Sequence, residues 1–310
     1  MLLRVARPQF LIASLAIFII GAFWAILLGA PLSLSRLVLG YLIIVPAQLS
    51  VSYSNETFDV KVDQHSVPSL FSGGSGVLVR HAELRQPAKW VAIGLIGCSM
   101  ALGVLFTVIY TYPIWFLGYV AVSNLVGWFY TAPPLRLVYR GLGELSNAIT
   151  GGLLIPVMGY VVARGTLNSE GLVFTLPLML YGLAFILSAE IPDMEADRLG
   201  HKHTWVARRG RSFSFTAVGV LMLAATGFFF GFPYLPSRAL PLDFHILGLL
   251  SLLPLGVGVY GMVIKPLKKQ AATRLANAII ISLAVFLILM GGTMIFAAAR
   301  VLNLAIINSL

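Results

Sequence analysis

The chain contains a series of long, uninterrupted apolar runs, and this feature restricts its fold more than any other. A helix needs about 20 apolar residues to cross the hydrocarbon core of a bilayer. Nine runs are predicted to do so, at residues 9–30, 37–56, 90–110, 113–130, 145–163, 172–191, 213–232, 245–264 and 276–299. We therefore expect an all-α integral membrane protein of about nine helices, forming one transmembrane domain over residues 1–310.

The composition agrees with this expectation. Of the 310 residues, 59% are hydrophobic and only 10% are charged, whereas soluble proteins carry about 25% charged residues. Arg4 and Arg7 precede the first run, as in a signal peptide, but that run is too long for one and is expected to stay as a helix. The single cysteine, Cys98, excludes a disulfide framework and a thiolate metal site.

The basic residues alternate from side to side along the predicted spans. Of the 21 Lys and Arg residues, 17 lie at the N-terminus or in the loops after even-numbered runs, which predicts a cytoplasmic N-terminus in the cell membrane. The net charge of +10 then reflects topology and contact with membrane lipids, not nucleic acid. Most acidic residues lie on the same side, which the topology rule does not explain but a shared functional site would.

A glycosylation acceptor triplet occurs at Asn55-Glu56-Thr57. It falls on the predicted cytoplasmic side and at the end of a helix, where such triplets are not modified. The triplet is therefore interpreted as part of another pattern.

That pattern is an acidic cluster in the stretch SNETFDVKVD, which starts at Ser54. Asn55, Asp59 and Asp63 are four residues apart, so a helix continuing out of the second run would carry them as one stripe. Like charges at this spacing repel each other, and the arrangement is unfavourable unless a cation binds.

A second cluster follows the sixth run, in the stretch AEIPDMEADRLGHKHT. Asp193 and Asp197 are again four residues apart, and Pro192 breaks or restarts the helix just before them. Such acids also occur in solvated loops and first helical turns. Two clusters with one spacing on one side favour a shared Mg²⁺ site, since Mg²⁺ takes a few carboxylates together with substrate phosphates.

Basic residues lie near both clusters in the sequence. Acidic and basic residues at the same membrane edge indicate a site for an anionic ligand that binds through a metal ion, such as a diphosphate. Contact with lipid is the alternative role for these bases, and it is favoured for the lysines at 265, 268 and 269. The bases nearest to the clusters are Lys61, Arg136, Arg140, Arg198 and Lys202.

Further motifs accompany the acidic ones: YTAPPLRLVYRGLGE from Tyr130, ARPQFLIAS near the start, and FSGGSGVL from Phe71. Together with NETFDVKVD and DMEADRLGHKHT, they resemble the motifs of the UbiA-type intramembrane prenyltransferases over essentially the whole chain. ARPQFLIAS and FSGGSGVL resemble the branch that prenylates 1,4-dihydroxy-2-naphthoate in menaquinone biosynthesis. Glu56-Thr57 and His201 depart from the family pattern.

The resemblance implies a central cavity that opens to lipid and two Mg²⁺ ions that bridge the Asp motifs to an isoprenyl diphosphate. It implies as metal ligands Asn55, Asp59, Asp63, Asp193 and Asp197. The four aspartates are also expected to be catalytic, together with Tyr130, whose ring would face the allylic cation. The expected contacts of the prenyl diphosphate are Arg136, Arg140 and Lys202, with Lys61 and Arg7 as further candidates.

The function expected from these residues is Mg²⁺-dependent transfer of an isoprenyl group from a polyprenyl diphosphate to an aromatic acceptor, first of all 1,4-dihydroxy-2-naphthoate. Three other acceptors stay open: 4-hydroxybenzoate, a glycerol-phosphate ether lipid and a carotenoid. The non-enzymatic alternative is a secondary transporter. Transporters place ionisable groups within their spans, whereas here these groups gather at one membrane edge. The sequence does not indicate an oligomeric state.

Overall fold

The computed structural model describes residues 4–66, 71–234 and 242–307, with backbone alone for 303–307. These parts of the chain form α1 (Gln9–Leu27), α2 (Leu34–Phe58), α3 (Val60–Asp63), α4 (Val77–Arg80), α5 (Arg85–Tyr110), α6 (Trp115–Phe129), α7 (Gly143–Ile149), α8 (Ile155–Arg164), α9 (Ser169–Val173), α10 (Thr175–Ala189), α11 (Met194–Leu199), α12 (Trp205–Gly231), α13 (Phe244–Ile264) and α14 (Lys269–Ile307). The all-α fold expected from the apolar runs is confirmed.

Eight helical segments in the described residues are long and apolar enough to cross a membrane. The segment predicted at 113–130 is the exception, because its helix α6 has only 15 residues. At 1.5 Å per residue α6 measures about 22 Å, less than the roughly 30 Å of the hydrocarbon core. The chain is thus an integral membrane protein, with eight long spans and one shorter apolar helix in its described part.

The segment predicted at 145–163 is a composite of three pieces. α7 passes into a π-helical turn at Thr150–Leu154, which passes into α8. A Cβ at Gly152 would lie 2.2 Å from the Met179 Cα, so α10 approaches the backbone of this turn. π-turns within helices are frequent at functional sites, and Thr150 and Gly151 line the cavity described below.

The first and last long helices of the described chain are neighbours in the bundle. α1 packs against both α8 and α14. The α1–α8 crossing is close, since a Cβ at Gly21 would lie 1.8 Å from the carbonyl oxygen of Pro156. Small residues at such crossings let membrane helices approach one another.

Both acidic stretches lie where a long helix ends. α2 ends at Phe58, and Asp59, with ψ of 6°, separates it from α3. The expected uninterrupted helix through Asp63 is therefore wrong, because a residue within an α-helix has a ψ of about −42°. The helical hydrogen bonds between residues four apart are nevertheless kept. Asp59 N donates to Asn55 O at 2.8 Å, and Asp63 N donates to Asp59 O at 2.9 Å.

The second stretch repeats this arrangement, with a break between α10 and α11 that contains Pro192. The two short helices α3 and α11 then pack against each other. A Cβ at Gly200, just after α11, would lie 2.4 Å from a methyl of Val62 in α3. This contact brings the two acidic stretches to the same end of the bundle.

Candidate active site

A cavity of about 320 Å³ lies among the helices at the end that carries both acidic stretches. Its volume falls in the range of small-molecule sites, about 300–1,000 Å³. One part of its wall is polar and is formed by the ends of α2 and α10. The rest is apolar and includes Phe10, Ile17, Leu178, Phe185, Leu283 and Leu287.

The polar part of the wall contains every oxygen ligand predicted from the sequence. The carboxyl and amide side chains that line this end of the cavity include Asn55, Glu56, Asp59, Asp63, Glu190, Asp193 and Asp197. Residues far apart in the sequence thus meet around one space. Of these side chains, Glu56, Asp59, Glu190 and Asp197 are buried, each at 6% exposure or less.

Asp59 forms an ion pair with Lys202 inside this group. Lys202 Nζ lies 2.7 Å from Asp59 Oδ2, with side-chain exposures of 14% and 8%. The Tyr139 hydroxyl donates to the other carboxylate oxygen at 2.7 Å. Burial lowers the pKa of Lys202, but Asp59 and Asp197 raise it more, so its net shift is well upward and the ammonium stays charged.

Asp63 and Asp197 lie where burial and neighbouring carboxylates disfavour their ionised form more than the nearby cations favour it. Burial, and then the nearby Asp59 carboxylate, raises the pKa of Asp63 to about 7. Burial also raises the pKa of Asp197 to about 7, although Lys202 acts in the opposite direction. An added cation would favour the ionised form of both groups.

The chemistry of this donor set fits a hard divalent cation, since it consists of carboxylate and amide oxygens. Among the described residues, no group of three or more Asp, Glu, His or Cys side chains is arranged to hold a metal ion on its own. A cation here would therefore need further oxygens from water or from a bound ligand. Mg²⁺ commonly binds in this way.

The loop Ser72–Ser75 covers the acids and is bonded to them. Gly73 N donates to Asp193 Oδ2 at 2.8 Å. Ser75 donates to Glu56 from its backbone N, at 2.5 Å, and from its hydroxyl, at 2.6 Å. A Cβ at Gly74 would lie 2.2 Å from Asp63 Oδ2, so this backbone lies directly against the carboxylate. The loop links the acids of α2, α3 and the α10–α11 break.

The basic residues predicted to bind diphosphate are divided between the cavity and its surroundings. Arg7 and Lys202 line the cavity. Burial lowers the pKa of Arg7, and Glu56 and Asp193 partly oppose this shift. Lys61, Arg136 and Arg140 are exposed and do not line it.

Arg136 nevertheless stays close to the polar wall. Its guanidinium lies 3.9 Å from the ring centre of Tyr139, whose hydroxyl bonds to Asp59. Arg140 instead donates to the Pro134 carbonyl at 2.9 Å.

Tyr130 and Asn55, both predicted from the sequence, line the cavity. Burial, followed by the Glu190 carboxylate, raises the pKa of Tyr130, so its phenol stays neutral. Asn55 Oδ1 accepts a hydrogen bond of 3.0 Å from Thr131 Oγ1.

Two residues of this wall, Glu56 and Glu190, were missed as site residues by the sequence interpretation. Burial raises the pKa of Glu190 well above its usual range, and Glu144 adds to the shift. A signal was available, because an ionisable residue at the end of an apolar run indicates function by default. The four-residue spacing rule could not find either residue, since both lie off that pattern.

Comparison with known proteins identifies what this architecture is similar to. The sequence profile of the UbiA prenyltransferase family matches residues 15–280. A curated relative, the 1,4-dihydroxy-2-naphthoate octaprenyltransferase of Bacillus subtilis (strain 168), is 25% identical over 189 residues. That match covers 58% of this chain and 60% of the relative, and so less than two thirds of the relative's length.

Solved structures share the fold over almost the whole chain. A UbiA homolog from Archaeoglobus fulgidus bound to GPP and Mg²⁺ has a TM-score of 0.70 at 16% identity, covering 96% of this chain and 99% of its own. The apo UbiA homolog from Aeropyrum pernix K1 has a TM-score of 0.64 at 19% identity, covering 91% and 98%.

Proposed function

The chain belongs to the UbiA prenyltransferase family, and from this premise we propose that it transfers an isoprenyl group from a polyprenyl diphosphate to an aromatic acceptor within the membrane. The observation that carries the proposal is the composition of the cavity wall. Acidic oxygens and two cations lie at one end, and an apolar surface continues from them. A molecule with a diphosphate head and a hydrocarbon tail matches both parts.

The acidic residues would hold the head through divalent metal. Asn55, Asp59, Asp63, Asp193 and Asp197 are the proposed donors. The structural neighbour bound to GPP and Mg²⁺ supports this choice of ligand and metal. Bound Mg²⁺ would neutralise the negative charge that develops on the departing diphosphate.

The protein's own cations would act on the same charge. Lys202 and Arg7 line the cavity and are placed to contact the diphosphate oxygens, which they would stabilise as the carbon–oxygen bond breaks. Arg136, Arg140 and Lys61 would act from the rim, if the ligand draws them inward. Tyr130 would present its ring to the allylic cation.

The apolar remainder of the cavity would hold the isoprenyl tail and keep water away from the cation. The relevant side chains come from three separate helices: Ile17 from α1, Phe185 from α10 and Leu287 from α14. Exclusion of water prevents hydrolysis of a reactive intermediate.

We propose 1,4-dihydroxy-2-naphthoate as the acceptor, which would assign the protein to menaquinone biosynthesis. The support is the likeness to the Bacillus subtilis enzyme, whose name states that acceptor. We further propose that residues 1–310 act as one domain, and that the site faces the cytoplasm, as the distribution of basic residues predicts.

The test incubates purified protein with geranylgeranyl diphosphate, Mg²⁺ and, in turn, 1,4-dihydroxy-2-naphthoate, 4-hydroxybenzoate and geranylgeranylglyceryl phosphate. Prenylated product should form with the naphthoate and should disappear with EDTA. Product with another acceptor alone would correct the acceptor. A cooperative thermal unfolding transition would show that the purified protein is folded. If such a protein forms no Mg²⁺-dependent product with any acceptor of the panel, the proposed activity is rejected.

A further inference from the structure

A second, smaller cavity adjoins the main one. It measures about 60 Å³ and lies among α2, α5, α6, the π-helical turn and α8. None of the proposed metal and diphosphate contacts lines it, so the proposed function leaves this space unused. We call it the side pocket. The residues that line both cavities are Gln48, Val51, Gly127, Thr150 and Ile155.

Asn124 of α6 is a buried polar residue of the side pocket, with an exposure of 5%. Its amide nitrogen donates to Ser99 Oγ at 3.1 Å and to the Val120 carbonyl at 2.9 Å. These bonds use both amide protons and fix the orientation of the amide, because a carbonyl can only accept. The amide oxygen has no hydrogen-bond partner among the described residues. Buried polar atoms nearly always have one, so this oxygen is a site for a ligand that donates.

The hydroxyl groups of the side pocket do not supply the missing proton. Four of the side chains that line it carry a hydroxyl, and each donates its single proton to a backbone carbonyl: Ser99 to Ile43, Ser123 to Tyr119, Tyr119 to Leu154 and Thr150 to Ser146. Apart from the Gln48 amide, the side chains of this wall therefore offer hydrogen-bond acceptors without donors. A ligand that brings an O–H or N–H group matches such a wall.

This requirement distinguishes among the chemical groups of the two proposed substrates. An isoprenyl tail and an ionised diphosphate or carboxylate carry no such proton, and each would leave the Asn124 oxygen unpaired, which costs free energy. The hydroxyl groups of an aromatic acceptor do carry one. The volume agrees with this choice, since a buried water needs about 10–15 Å³ and the 60 Å³ of the side pocket admits the substituted edge of a ring but not a polyprenyl chain.

The side pocket also lies at a suitable depth for the acceptor. Asn124 precedes Tyr130 by six residues, a rise of about 9 Å along a helix, and the proposed function places the allylic cation at Tyr130. Gly127 lies between these two residues in α6 and lines both cavities. An aromatic acceptor beside Tyr130 would therefore extend past Gly127 and bring its far edge to Asn124.

We propose that the side pocket is the subsite for a ring hydroxyl of the acceptor, and that the Asn124 oxygen accepts its hydrogen bond. The inference rests on the proposed function and deepens it by naming a residue that selects the acceptor. A site that hydrogen-bonds a substrate hydroxyl discriminates against an analogue that lacks it.

The chemistry of 1,4-dihydroxy-2-naphthoate indicates which hydroxyl occupies the subsite. Its 1-hydroxyl is next to the carboxylate and can donate to it within the molecule. Its 4-hydroxyl is on the opposite side of the substituted ring and has a free proton. The 4-hydroxyl is therefore the group that binds Asn124.

The experiment compares the wild type with Asn124→Leu, which keeps the approximate shape of the side chain and removes the oxygen. Transfer from geranylgeranyl diphosphate with Mg²⁺ gives the KM for 1,4-dihydroxy-2-naphthoate. Competition gives the Ki of 1-hydroxy-2-naphthoate, which lacks only the 4-hydroxyl. Asn277→Leu is the matched control, because it makes the same chemical change at a residue that lines neither cavity.

We expect the wild type to bind the analogue about tenfold more weakly than the naphthoate, as the loss of one hydrogen bond predicts. In Asn124→Leu the KM for the naphthoate should rise about tenfold, while the Ki of the analogue changes less than about twofold. The kcat and the KM for geranylgeranyl diphosphate should change little, because the lost interaction contributes equally before and during the reaction. Asn277→Leu should match the wild type in all four constants.

An unchanged naphthoate KM in Asn124→Leu overturns the inference. So does an equal rise in the naphthoate KM and the analogue Ki, which would assign Asn124 to packing, or to a bound water, instead of to the 4-hydroxyl. If Asn124→Leu does not fold, Ala47→Leu decides, since Ala47 lines the side pocket and not the main cavity. A raised naphthoate KM with an unchanged diphosphate KM in that variant supports the subsite, and a wild-type naphthoate KM rejects it. A wild type that prenylates no acceptor rejects the proposed function instead.

Discussion

The contact between Asp59 and Lys202 joins residues 143 positions apart and lies at the centre of the polar wall. Without a metal ion, the ammonium supplies the positive charge that the carboxylate requires. Under the proposed function, a metal-bound diphosphate would offer this ammonium its phosphate oxygens as alternative partners to Asp59. Asp59 and Lys202 would then each have a partner of opposite charge in both states.

Asp59→Asn tests the metal assignment at a single residue. We expect prenyl transfer to fall at least about 100-fold and the Mg²⁺ concentration for half-maximal rate to rise, because a neutral amide is a weaker ligand for this cation. The measurement is transfer rate against Mg²⁺ concentration.

Asp243→Asn is a suitable control for this prediction. Asp243 caps α13 by accepting from His245 N, and Asn caps a helix about as well as Asp. Full activity of Asp59→Asn at ordinary Mg²⁺ concentrations would contradict the proposed ligand.

Lys202→Met tests the ion pair through stability. Loss of one partner from a buried pair leaves an uncompensated charge and costs about 3–5 kcal/mol. We expect the Tm of the metal-free protein in detergent to fall by about 5–10 °C, and Mg²⁺ with geranylgeranyl diphosphate to recover part of it.

Lys269→Met provides the comparison, because Lys269 lies 3.8 Å from Glu195 with side-chain exposures of 46% and 44%. Exposed pairs contribute about 0–1 kcal/mol, so its Tm should scarcely change. Equal effects of the two substitutions would argue against a special role for Lys202.

At the scale of elements, the loop Ser72–Ser75 connects the two acidic stretches through hydrogen bonds. It bonds to Glu56 at the end of α2 and to Asp193 beyond the end of α10. Gly74 is needed for space, because a Cβ there would lie against the Asp63 carboxylate. A ligand held by the same acids would lie beneath this backbone.

Gly74→Ala should displace the loop, because the added methyl cannot lie 2.2 Å from the Asp63 oxygen. We expect a higher KM for the prenyl diphosphate, by about tenfold, with a smaller change in Tm than Lys202→Met causes. The KM for the prenyl diphosphate is measured from transfer rates at a saturating concentration of the acceptor. Gly94→Ala is the control, since a Cβ there meets no atom within 4 Å; equal KM values for the two variants would refute the role of the loop.

The long helices were predictable element by element, since each follows from an apolar run that the bilayer requires to be helical. The break at Asp59 and the π-turn at Thr150–Leu154 were not. Residues from elsewhere in the chain meet the backbone at both places: the Tyr139 hydroxyl bonds to Asp59, and Met179 approaches Gly152. The pattern of residues within one helix does not show which residues of other helices will lie next to it.

At the scale of the molecule, the helix bundle brings acidic residues that are far apart in the sequence to one wall of the cavity. α3 and α11 meet at the end of the bundle, and the spans behind them surround an apolar space. The arrangement gathers the acids that line the cavity at one end of the bundle.

Membrane orientation is the prediction that belongs to the whole molecule. In a Cys98→Ser background, Thr166→Cys in the exposed α8–α9 turn should react with a membrane-impermeant maleimide on intact cells. Glu83→Cys, also exposed, should react only after the membrane is opened, because the basic loops are expected to face the cytoplasm. The reverse pattern would place the site outside.

The sequence by itself determined the fold class, the approximate positions of the spans and the two acidic stretches with their four-residue spacing. These properties are local, because hydropathy and helical periodicity act within the length of a single helix. The family resemblance was likewise readable from short motifs, and the match over residues 15–280 agrees with it.

Only the tertiary structure decided which charges meet. The sequence placed Arg136, Arg140 and Lys202 ahead of Lys61 and Arg7 as candidate bases. Folding brought Lys202 and Arg7 to the cavity wall and left Lys61, Arg136 and Arg140 exposed. It likewise brought Glu190, which follows the end of α10, to the same cavity wall. Burial and long-range packing determine these pairs, and neither is encoded in the spacing of residues within a single helix.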